Sequence, residues 1–588
     1  MTLLLNLSRG ANILNISVLR ALFLLPRKDL VMSIDYIIYG LLSLIPPVLI
    51  ITLVLKTKDI KKSFFFGILS AMLILPITNG VTSIVDERLI VSFDGYTIGS
   101  YFEGLYLGVK TVFDSIFDIF FEDGGLFGFI NGWNMSIIFF LFALGIMTSF
   151  MVMSGGTKAL TEYLSKKIKT RKGTLLLTAF LGIIIFIDDY FNALVVGNVS
   201  KPLCEKHKIS RAKLSYIVDS TAAPICVIAI VSSWGAGIVG NLGAAIEGNS
   251  ALAGNNAIVA FFGAIPYQFY VITALASVFI MIFKDFNIGE MRKYEEEALV
   301  GNDSSKVEEE LNLDKSVTDG KIFNILFPLL ALVVATIGAM LISGFVGCSG
   351  NITFLGVLEN IDVALSLRTG GIAALVSSFV PVIPLLKNKI IDKKKLGSTV
   401  KEGFGSMLQA NIILLCAWLI STLIGLLGSK YFLAEVIIVS KFPVEFLPVI
   451  IFVFAAFMAF STGTSWGTFG ILIPIVASII SSVAPDMFVP VVAATLSGAI
   501  FGDHASPISD TTLLSSAGSG CVHTKHFSTQ LPYALMSAII ALLGYLVFGV
   551  FKLIFNANLV GLLAAYVIII VSYVVILIWY KKKYSSSK

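Results

Sequence analysis

The sequence predicts an all-α polytopic membrane protein. Of the 588 residues, 56% are apolar and only 13% are charged, about half of the charged fraction in ordinary soluble proteins. Continuous apolar stretches recur along the whole chain, and those of about 18 residues or more can cross a hydrocarbon core of about 30 Å. These runs do not alternate between apolar and polar residues, which excludes a transmembrane β-barrel. We expect about eleven transmembrane helices plus two re-entrant hairpins.

The overall charge and the cysteines exclude other classes of protein. The net charge of +5 does not indicate a nucleic-acid partner, because in such a chain the Lys and Arg residues mark cytoplasmic loops. The five cysteines have no spacing typical of a metal site, so neither a transition metal nor a cofactor is expected. The segment 1–31 has mixed polarity, and both Met1 and Met32 are candidate translation starts.

Loop charges assign the sides of the membrane. The basic loop 56–62 is expected in the cytoplasm, whereas loop 83–131 holds eight acidic and only two basic residues and is expected outside. The basic stretch 158–172 returns to the cytoplasm. The apolar segment 174–199 is flanked by basic residues on both sides, which predicts a re-entrant hairpin with its turn near 187–192 rather than a simple span.

The remaining segments complete two membrane halves. In the first half, 32–283, we expect spans near 33–55, 64–82, 134–153, 214–240 and 257–283. The mixed-charge segment 284–321 is a predicted cytoplasmic linker. In the second half, 322–588, we expect spans near 322–347, 363–386, 404–427, 530–555 and 558–580, a hairpin at 446–483 and a broken span through 498–512. This order places the N-terminus outside and the C-terminus inside the cytoplasmic membrane.

An inverted repeat relates the two halves in this prediction. DSTAAPICVIAIVSSW (219–234) and GDHASPISDTTLLSS (502–516) share five residues at a constant offset of 283. Both stretches follow a predicted hairpin, and they run in opposite directions across the membrane. Transporters built from inverted repeats place their substrate and ion sites at the repeat interface, on broken helices.

Five carboxylates lie in these otherwise apolar stretches: Asp188, Asp189, Asp219, Asp503 and Asp510. Each would cost about 2.5–3.5 kcal/mol at the centre of the bilayer, so they are expected to face the protein interior or water, to pair, or to take up protons. Ion or proton handling is favoured for Asp189 and Asp510. Capping of a half-helix is the alternative for Asp219 and Asp503, and Asp188 is expected nearer the cytoplasmic water.

Oxygen ligands for Na⁺ surround the same stretches. Hard cations prefer carboxylate, hydroxyl and carbonyl oxygens. The candidate ligands beside the five carboxylates are Asn192, Ser220, Thr221, Ser461, Thr462, Thr464, Ser465, Ser506 and Thr511. For any single Ser or Thr, helix packing is the alternative. Trp234 and Trp466 are candidate walls of a cavity, with packing as the alternative.

Histidine offers a second route for protons. His504 has an ordinary pKa near 6.5 and could relay protons, with a structural hydrogen bond as the alternative. His523 and His526 fall in a predicted cytoplasmic loop, where solvent is expected to surround them.

Four motifs resemble the NhaC family of sodium/proton antiporters: IFIDDYFNALVVGNVSKPL, KISRAKLSYIVDSTAAPICVIAIVSSW, STGTSWGTFGILIPI and FGDHASPISDTTLLSS. The similarity spans about 135–535, with the motifs in the family's order. The resemblance implies a membrane antiporter with inverted repeats and two hairpins, and a homodimer with an elevator-like transport domain. It leaves the cargo open, because relatives also exchange organic acids or amino acids.

Two functions are therefore predicted. The first is exchange of Na⁺ for H⁺ at the buried carboxylates, and the second is coupled transport or exchange of a small organic solute. An intramembrane hydrolase is disfavoured, because His504 has no second histidine expected at its depth. The expected partners are the lipid bilayer, the transported ions or solute, and a second copy of the chain.

Overall fold

A computed structural model of the chain describes residues 34–585, except 58, 86–87, 92–96, 122–131, 250–251, 253–255, 308–319, 349–351, 354–355, 358–359, 429–431, 433–439 and 441. The segment 1–31 and both candidate starts, Met1 and Met32, lie outside these residues.

The first half is helical apart from one short hairpin of two strands. Its elements are α1 (Ile34–Thr57), α2 (Ile60–Val81), β1 (Thr82–Val85), β2 (Arg88–Val91), α3 (Ile98–Phe121), α4 (Trp133–Met153), α5 (Gly156–Lys167), α6 (Arg171–Ile184), α7 (Asp189–Lys206), α8 (Arg211–Cys226), α9 (Ser233–Glu247), α10 (Ala257–Ala264) and α11 (Phe269–Lys284). The strands pair antiparallel, with Thr82 opposite Val91.

The second half follows a short helix in the linker. Its elements are α12 (Glu290–Leu299), α13 (Phe323–Gly347), α14 (Val363–Phe379), α15 (Val382–Lys387), α16 (Lys393–Leu427), α17 (Leu447–Thr462), α18 (Ser465–Val483), α19 (Phe488–His504), α20 (Asp510–Ser519), α21 (His523–Phe555) and α22 (Asn558–Ser585). Every residue of α8 is buried, as is almost all of α19, so these two helices form the centre of the molecule.

The predicted number of spans agrees with the helices. Ten helices in the described part of the chain are long and apolar enough to cross a membrane, and a pair bent by 51°, Ala257–Tyr267 with Phe269–Lys284, makes eleven. The protein is therefore a polytopic α-helical membrane protein. The individual spans differ from the prediction. The stretches Val444–Thr462 and Pro485–His504 are long and apolar enough to cross a membrane, whereas the predicted span 214–240 is not.

The predicted span 214–240 is interrupted at 227–232. Ser232 explains the break, because its hydroxyl group bonds both ends. Ser232 Oγ donates to Cys226 O (2.7 Å) at the end of α8 and accepts from Gly235 N (2.8 Å) at the start of α9. A Ser that satisfies the free backbone groups of two helix ends stabilises two short helices over one long helix.

Both predicted hairpins contain a helix break. In the first, the break covers 185–188 rather than 187–192, because Asp188 caps α7 and the helix starts at Asp189. In the second, α17 ends at Gly463, whose φ of +69° is the left-handed conformation that glycine adopts readily. An added Cβ there would lie 2.5 Å from Ile508 O, so only glycine fits. The re-entrant path of both hairpins stays a prediction.

Three predicted loops contain helices. Helix α3 and the two strands lie in the acidic stretch 83–131, α5 lies in the basic stretch 158–172, and α12 lies in the linker 284–321. Helix α3 buries Val112 and Ile119 and exposes Phe113 and Phe117. Loop charge does not predict these helices, because their amphipathic patterns are interleaved with charged residues.

The order of elements is the same in two places. Helix, break, helix and then a broken helix occur as α6 to α9 and again as α17 to α20. Helices α6 and α17 begin at residues 171 and 447, and α9 and α20 begin at 233 and 510, offsets of 276 and 277. The five identities at the offset of 283 are therefore out of register with the helices and do not mark the repeat. The element order supports an internal repeat, which stays a prediction.

Candidate functional site

Three carboxylates from both halves meet where broken helices pack together. Asp189 lies in the first turn of α7, Asp503 lies near the end of α19, and Asp510 is the first residue of α20. Asp189 and Asp503 are each only 1% exposed. Tyr190, the neighbour of Asp189, donates to Asp510, and Thr511, the neighbour of Asp510, donates to Asp503, so hydrogen bonds connect the surroundings of the three acids. We call Asp189, Asp503 and Asp510 the three-acid cluster.

Glycines bring the two halves this close. An added Cβ at Gly197 on α7 would lie 2.6 Å from the carbonyl carbon of Gly518 on α20. The backbones of the two helices are therefore in direct contact, as small residues permit in membrane proteins. This contact holds the start of α7, with Asp189, beside the start of α20, with Asp510.

The cluster lacks hydrogen-bond donors for two of its oxygens. Asp503 Oδ2 accepts from Thr511 Oγ1 (3.1 Å), and Asp510 Oδ1 accepts from its neighbour's backbone, Thr511 N (3.0 Å). Tyr190 OH donates to Asp510 Oδ2. Asp189 Oδ2 and Asp503 Oδ1 are buried and accept no hydrogen bond. Because buried polar atoms normally have partners, two such oxygens indicate a place for a proton or a cation.

A small cavity adjoins the cluster. Its lining comes from α7, the break before α18, and α16: Asp188, Asp189, Tyr190, Ser406, Met407, Ile413, Thr464 and Trp466. It has room for about one water-sized particle. Trp466 thus walls a cavity, as its position predicted, and its ring lies 5.7 Å from that of Trp234.

Asp188 has a structural environment. Its Oδ1 accepts from Phe191 N (3.0 Å), which caps α7, and its Oδ2 accepts from Ser233 Oγ (2.9 Å) at the start of α9. Asp188 is 4% exposed and therefore buried, and its position relative to the cytoplasmic water stays a prediction. Both oxygens have donors, and the carboxylate joins two helix starts.

Asp219 lies in a second cluster, where its carboxylate is fully bonded. Ser515 Oγ donates to Oδ1 (3.0 Å), and Thr512 Oγ1 (3.2 Å) and Gln530 Nε2 (2.5 Å) donate to Oδ2. His526 Nε2 lies 3.5 Å from the same Oδ2. These bonds connect α8 of the first half to α20 and α21 of the second. The geometry favours the structural alternative for Asp219.

One histidine, His526, differs from its predicted surroundings. His526 is fully buried rather than solvated, because α21 begins at His523 and its first turn packs against α8. His523 Nε2 lies 2.8 Å from Pro507 O, within hydrogen-bond distance. His504 Nδ1 lies 3.0 Å from Tyr270 OH, and His504 O accepts from Gln530 Nε2 (3.0 Å).

The other predicted ligands divide by what their polar atoms bond. Thr464 caps α18, with Gly467 N at 3.4 Å, and lines the cavity. Thr221 and Thr462 donate to a carbonyl of their own helix, whereas Ser465 and Ser506 donate to a carbonyl of a neighbouring helix, as in helix packing. Ser220 is buried and Ser461 is partly buried. The amide of Asn192 donates to Gly182 O (2.7 Å) and Ile185 O (2.8 Å), whereas its Oδ1 has no donor.

Sequence reasoning missed Tyr190, Gln530 and His526. Tyr190 directly follows the two acids of the motif IDDYFN. His526 and Gln530 are four residues apart on α21, so they share one helix face. A polar pair at that spacing at the start of an apolar helix is the signal that could have identified both. In the described part of the chain, no group of three or more His, Cys, Asp or Glu side chains has the arrangement of a metal site, so a cation would also need hydroxyl or carbonyl oxygens.

One family model and two related proteins resemble this chain. The model of the Na⁺/H⁺ antiporter family matches residues 225–550. An uncharacterized protein of Haemophilus influenzae is 37% identical over 510 residues, which cover 86% of this chain and 90% of that protein. An uncharacterized Na⁺/H⁺ antiporter of the same organism is 36% identical over 106 residues, covering 18% of this chain and 22% of that protein.

The fold is also similar to a solved transporter. The crystal structure of the Alcanivorax borkumensis YdaH transporter superposes with a TM-score of 0.50 at 13% identity, over 85% of this chain and 99% of that one. At that identity the likeness concerns the fold alone. The matched family model covers more than half of the chain and includes α19 to α21 with Asp503, Asp510 and Gln530. The chain is a secondary transporter rather than an enzyme, and it belongs to the Na⁺/H⁺ antiporter family.

Proposed function

We propose that the protein exchanges Na⁺ for H⁺ across the cytoplasmic membrane, and that the two ions compete for the three-acid cluster. The observation that carries the proposal is the pair of buried carboxylate oxygens without donors, Asp189 Oδ2 and Asp503 Oδ1. Within the family, the four motifs support the NhaC type. The loop charges support an outside N-terminus and an inside C-terminus.

Competition follows from the charge of the cluster. Three ionised carboxylates at short range repel each other strongly where water is scarce. A proton on one of them relieves this repulsion, and so does a bound Na⁺. Because both ions neutralise the same negative charge, occupancy by one disfavours the other.

The chain offers ligands for Na⁺ beside the carboxylates. Thr511 Oγ1 already bonds Asp503, and Thr464 lines the cavity next to Asp189. Hydroxyl and carboxylate oxygens together suit a hard monovalent cation. Exchange results if only a cluster that holds a proton or Na⁺ can change the side to which it is open, because an unoccupied cluster would then stay in place.

The size of the cavity favours an ion over the organic solute. Space for about one water-sized particle suits Na⁺, whereas an amino acid or a carboxylate would need the cavity to widen. The second candidate therefore stands as an outcome of the test.

The test is Na⁺-dependent pH change in proteoliposomes. We expect Asp189→Asn, Asp503→Asn and Asp510→Asn each to slow exchange at least about tenfold, the factor that corresponds to 1.4 kcal/mol. Asp114→Asn is the matched control, because Asp114 forms an exposed pair with Lys110. Unchanged exchange in both Asp189→Asn and Asp510→Asn would refute the assignment. Counterflow of an amino or organic acid without a Na⁺ gradient would support the organic-solute candidate.

A further inference from the structure

Residues 285–307, which we call the strap, pack against the ends of α6, α8, α20 and α21 instead of forming a free linker. Its helix, α12, carries Glu295, which is 3% exposed. Ser210 donates to Glu295 Oε1 from its backbone N (2.9 Å) and from its Oγ (2.7 Å). Lys213 Nζ lies 2.6 Å from Glu295 Oε2, and Arg171 pairs with the same oxygen. Glu295 thus joins the start of α8 to the start of α6.

The strap also caps α8. Asp303 Oδ2 accepts from Arg211 N (2.8 Å), and Ser305 Oγ accepts from Ala212 N (3.1 Å). The first backbone N–H groups of a helix have no partner within it, and here the strap supplies acceptors for two of them. Asp219 follows eight residues later on the same helix, about 12 Å along its axis.

The other edge of the strap bonds the second half. Val522 N donates to Ser305 O (2.9 Å), and Val307 N donates to Gly520 O (3.2 Å), which pairs Lys306 with Cys521 in a short antiparallel bridge. The residues 520–522 connect α20 to α21. The strap therefore contacts the helix of Asp219, the end of the helix of Asp510, and the start of the helix of Gln530.

Two sets of contacts thus connect α8 to α20 and α21, at two different positions along α8. One is the Asp219 carboxylate, with donors on α20 and α21, and the other is the strap. Attachment at two points about 12 Å apart prevents α8 from rotating or sliding against α20 and α21. A single bridge would leave such a movement open.

We propose that the strap is a positioning element of the transport site, and that it stays docked through the whole transport cycle. It keeps α8, α20 and α21 as one body, so the Asp219 cluster remains intact while the three-acid cluster changes its ion. This inference rests on the proposed transport function. Its alternative is a strap that must open for ions to pass on that side.

A disulfide tests whether the strap must open. Lys306 and Cys521 form a non-hydrogen-bonded pair, whose Cα atoms are typically about 4.5 Å apart, within the range for a disulfide. Lys306→Cys therefore allows a bond with the native Cys521 upon oxidation with copper phenanthroline. We expect the oxidised protein to exchange ions within about twofold of the rate of the reduced protein. Loss of exchange upon oxidation, with recovery after dithiothreitol, would overturn the proposal.

Two controls isolate the disulfide. The double variant Lys306→Cys with Cys521→Ser cannot form it, so oxidation should leave that variant unchanged. Exchange in the reduced protein establishes that the transport function itself is present. Absence of exchange in the reduced and wild-type proteins alike is a failure of the proposed function, and the strap is then tested by a measurement independent of transport.

That measurement is maleimide labelling of Cys521, in a chain whose other four cysteines are replaced by serine. Cys521 lies beneath the strap and is 2% exposed. We expect slow labelling that Na⁺ and pH change by less than about twofold. Glu295→Gln should speed labelling at least about tenfold, whereas Glu296→Gln, whose exposed pair is with Arg292, should not. Faster labelling of the wild-type strap upon addition of Na⁺ would show that the strap opens, and would overturn the proposal.

Glu295→Gln also separates positioning from ion binding. Because the strap does not supply the three carboxylates, we expect a maximal exchange rate at least about fivefold lower, with half-saturating Na⁺ within about twofold of the wild-type value. A shift confined to half-saturating Na⁺ would contradict a positioning role.

Discussion

Asp219 and Asp503 are buried to the same degree in neighbouring helices, and adjacent threonines contact them. Thr512 donates to Asp219, and Thr511 donates to Asp503. Asp219 has three hydrogen bonds that use both of its oxygens, whereas Asp503 Oδ1 has none. The comparison teaches that burial alone does not identify an ion site in a membrane protein. What separates the two clusters is whether the protein itself satisfies each carboxylate oxygen.

The largest expected effect tests the structural side of this comparison. Asp219→Ala leaves Thr512, Ser515 and Gln530 without their acceptor, and each unsatisfied buried group costs about 1–3 kcal/mol. We expect the free energy of unfolding in mixed micelles to fall by about 3 kcal/mol or more. Asp503→Asn should leave it within about 1 kcal/mol of wild type, because it removes an incompletely bonded charge. Equal losses in both variants would remove the distinction.

Protection by Na⁺ tests the ion-binding side. A ligand at about 100 times its Kd stabilises the folded state by about 2.7 kcal/mol. We expect NaCl to raise the melting temperature of the wild-type protein relative to choline chloride at equal ionic strength. Asp189→Asn and Asp503→Asn should abolish this shift, whereas Asp219→Asn should retain it. A shift that survives in Asp189→Asn would place the cation elsewhere.

A change in helix spacing tests how the three-acid cluster is assembled. Gly197→Ala places a methyl group against the backbone of Gly518, and such overpacking costs about 1–3 kcal/mol. Because it separates α7 from α20, we expect lower stability together with slower exchange in proteoliposomes. Gly338→Ala is the control, since no atom lies within 4 Å of an added Cβ there. Normal exchange in Gly197→Ala would mean that close helix contact is not required.

The smallest effect concerns the pair of the exposed Asp285 of the strap with the buried Lys213 of α8. Although partial loss of hydration opposes it, the charge of Lys213 holds the pKa of Asp285 below its ordinary value. A lowered pKa in the folded state stabilises the protein at pH values above the unfolded-state pKa, which is near 3.9. This stabilisation is lost as pH falls through the folded-state pKa. We expect Asp285→Asn to cost at most about 1 kcal/mol at pH 7, and this cost should shrink as pH falls from 7 towards 2. A constant difference in melting temperature across this range would refute the linkage.

The sequence predicted the class and the number of spans, because hydrophobic length is a local signal, and it singled out the five acids as rare charges in apolar stretches. It did not sort the acids, since the donors to Asp219 lie about 300 residues away in the chain. His526 was placed in solvent, because nothing in its local sequence shows that α21 packs on α8. The five identities at the offset of 283 do not follow the helix starts, because common residues can match by composition whereas helix starts follow capping residues such as Ser232 and Ser509.

The amide of Asn192 gives the carbonyl groups of the first helix break a neutral donor. Carbonyl groups at the end of a half-helix carry partial negative charge and attract cations. At the end of α6, the neutral amide already donates to two of these carbonyls, Gly182 O and Ile185 O. These two bonds satisfy both carbonyl groups without an ion. Neutral hydrogen bonds therefore hold the backbone beside the three-acid cluster. We expect a change of ion to alter the charge of the cluster without remodelling this backbone.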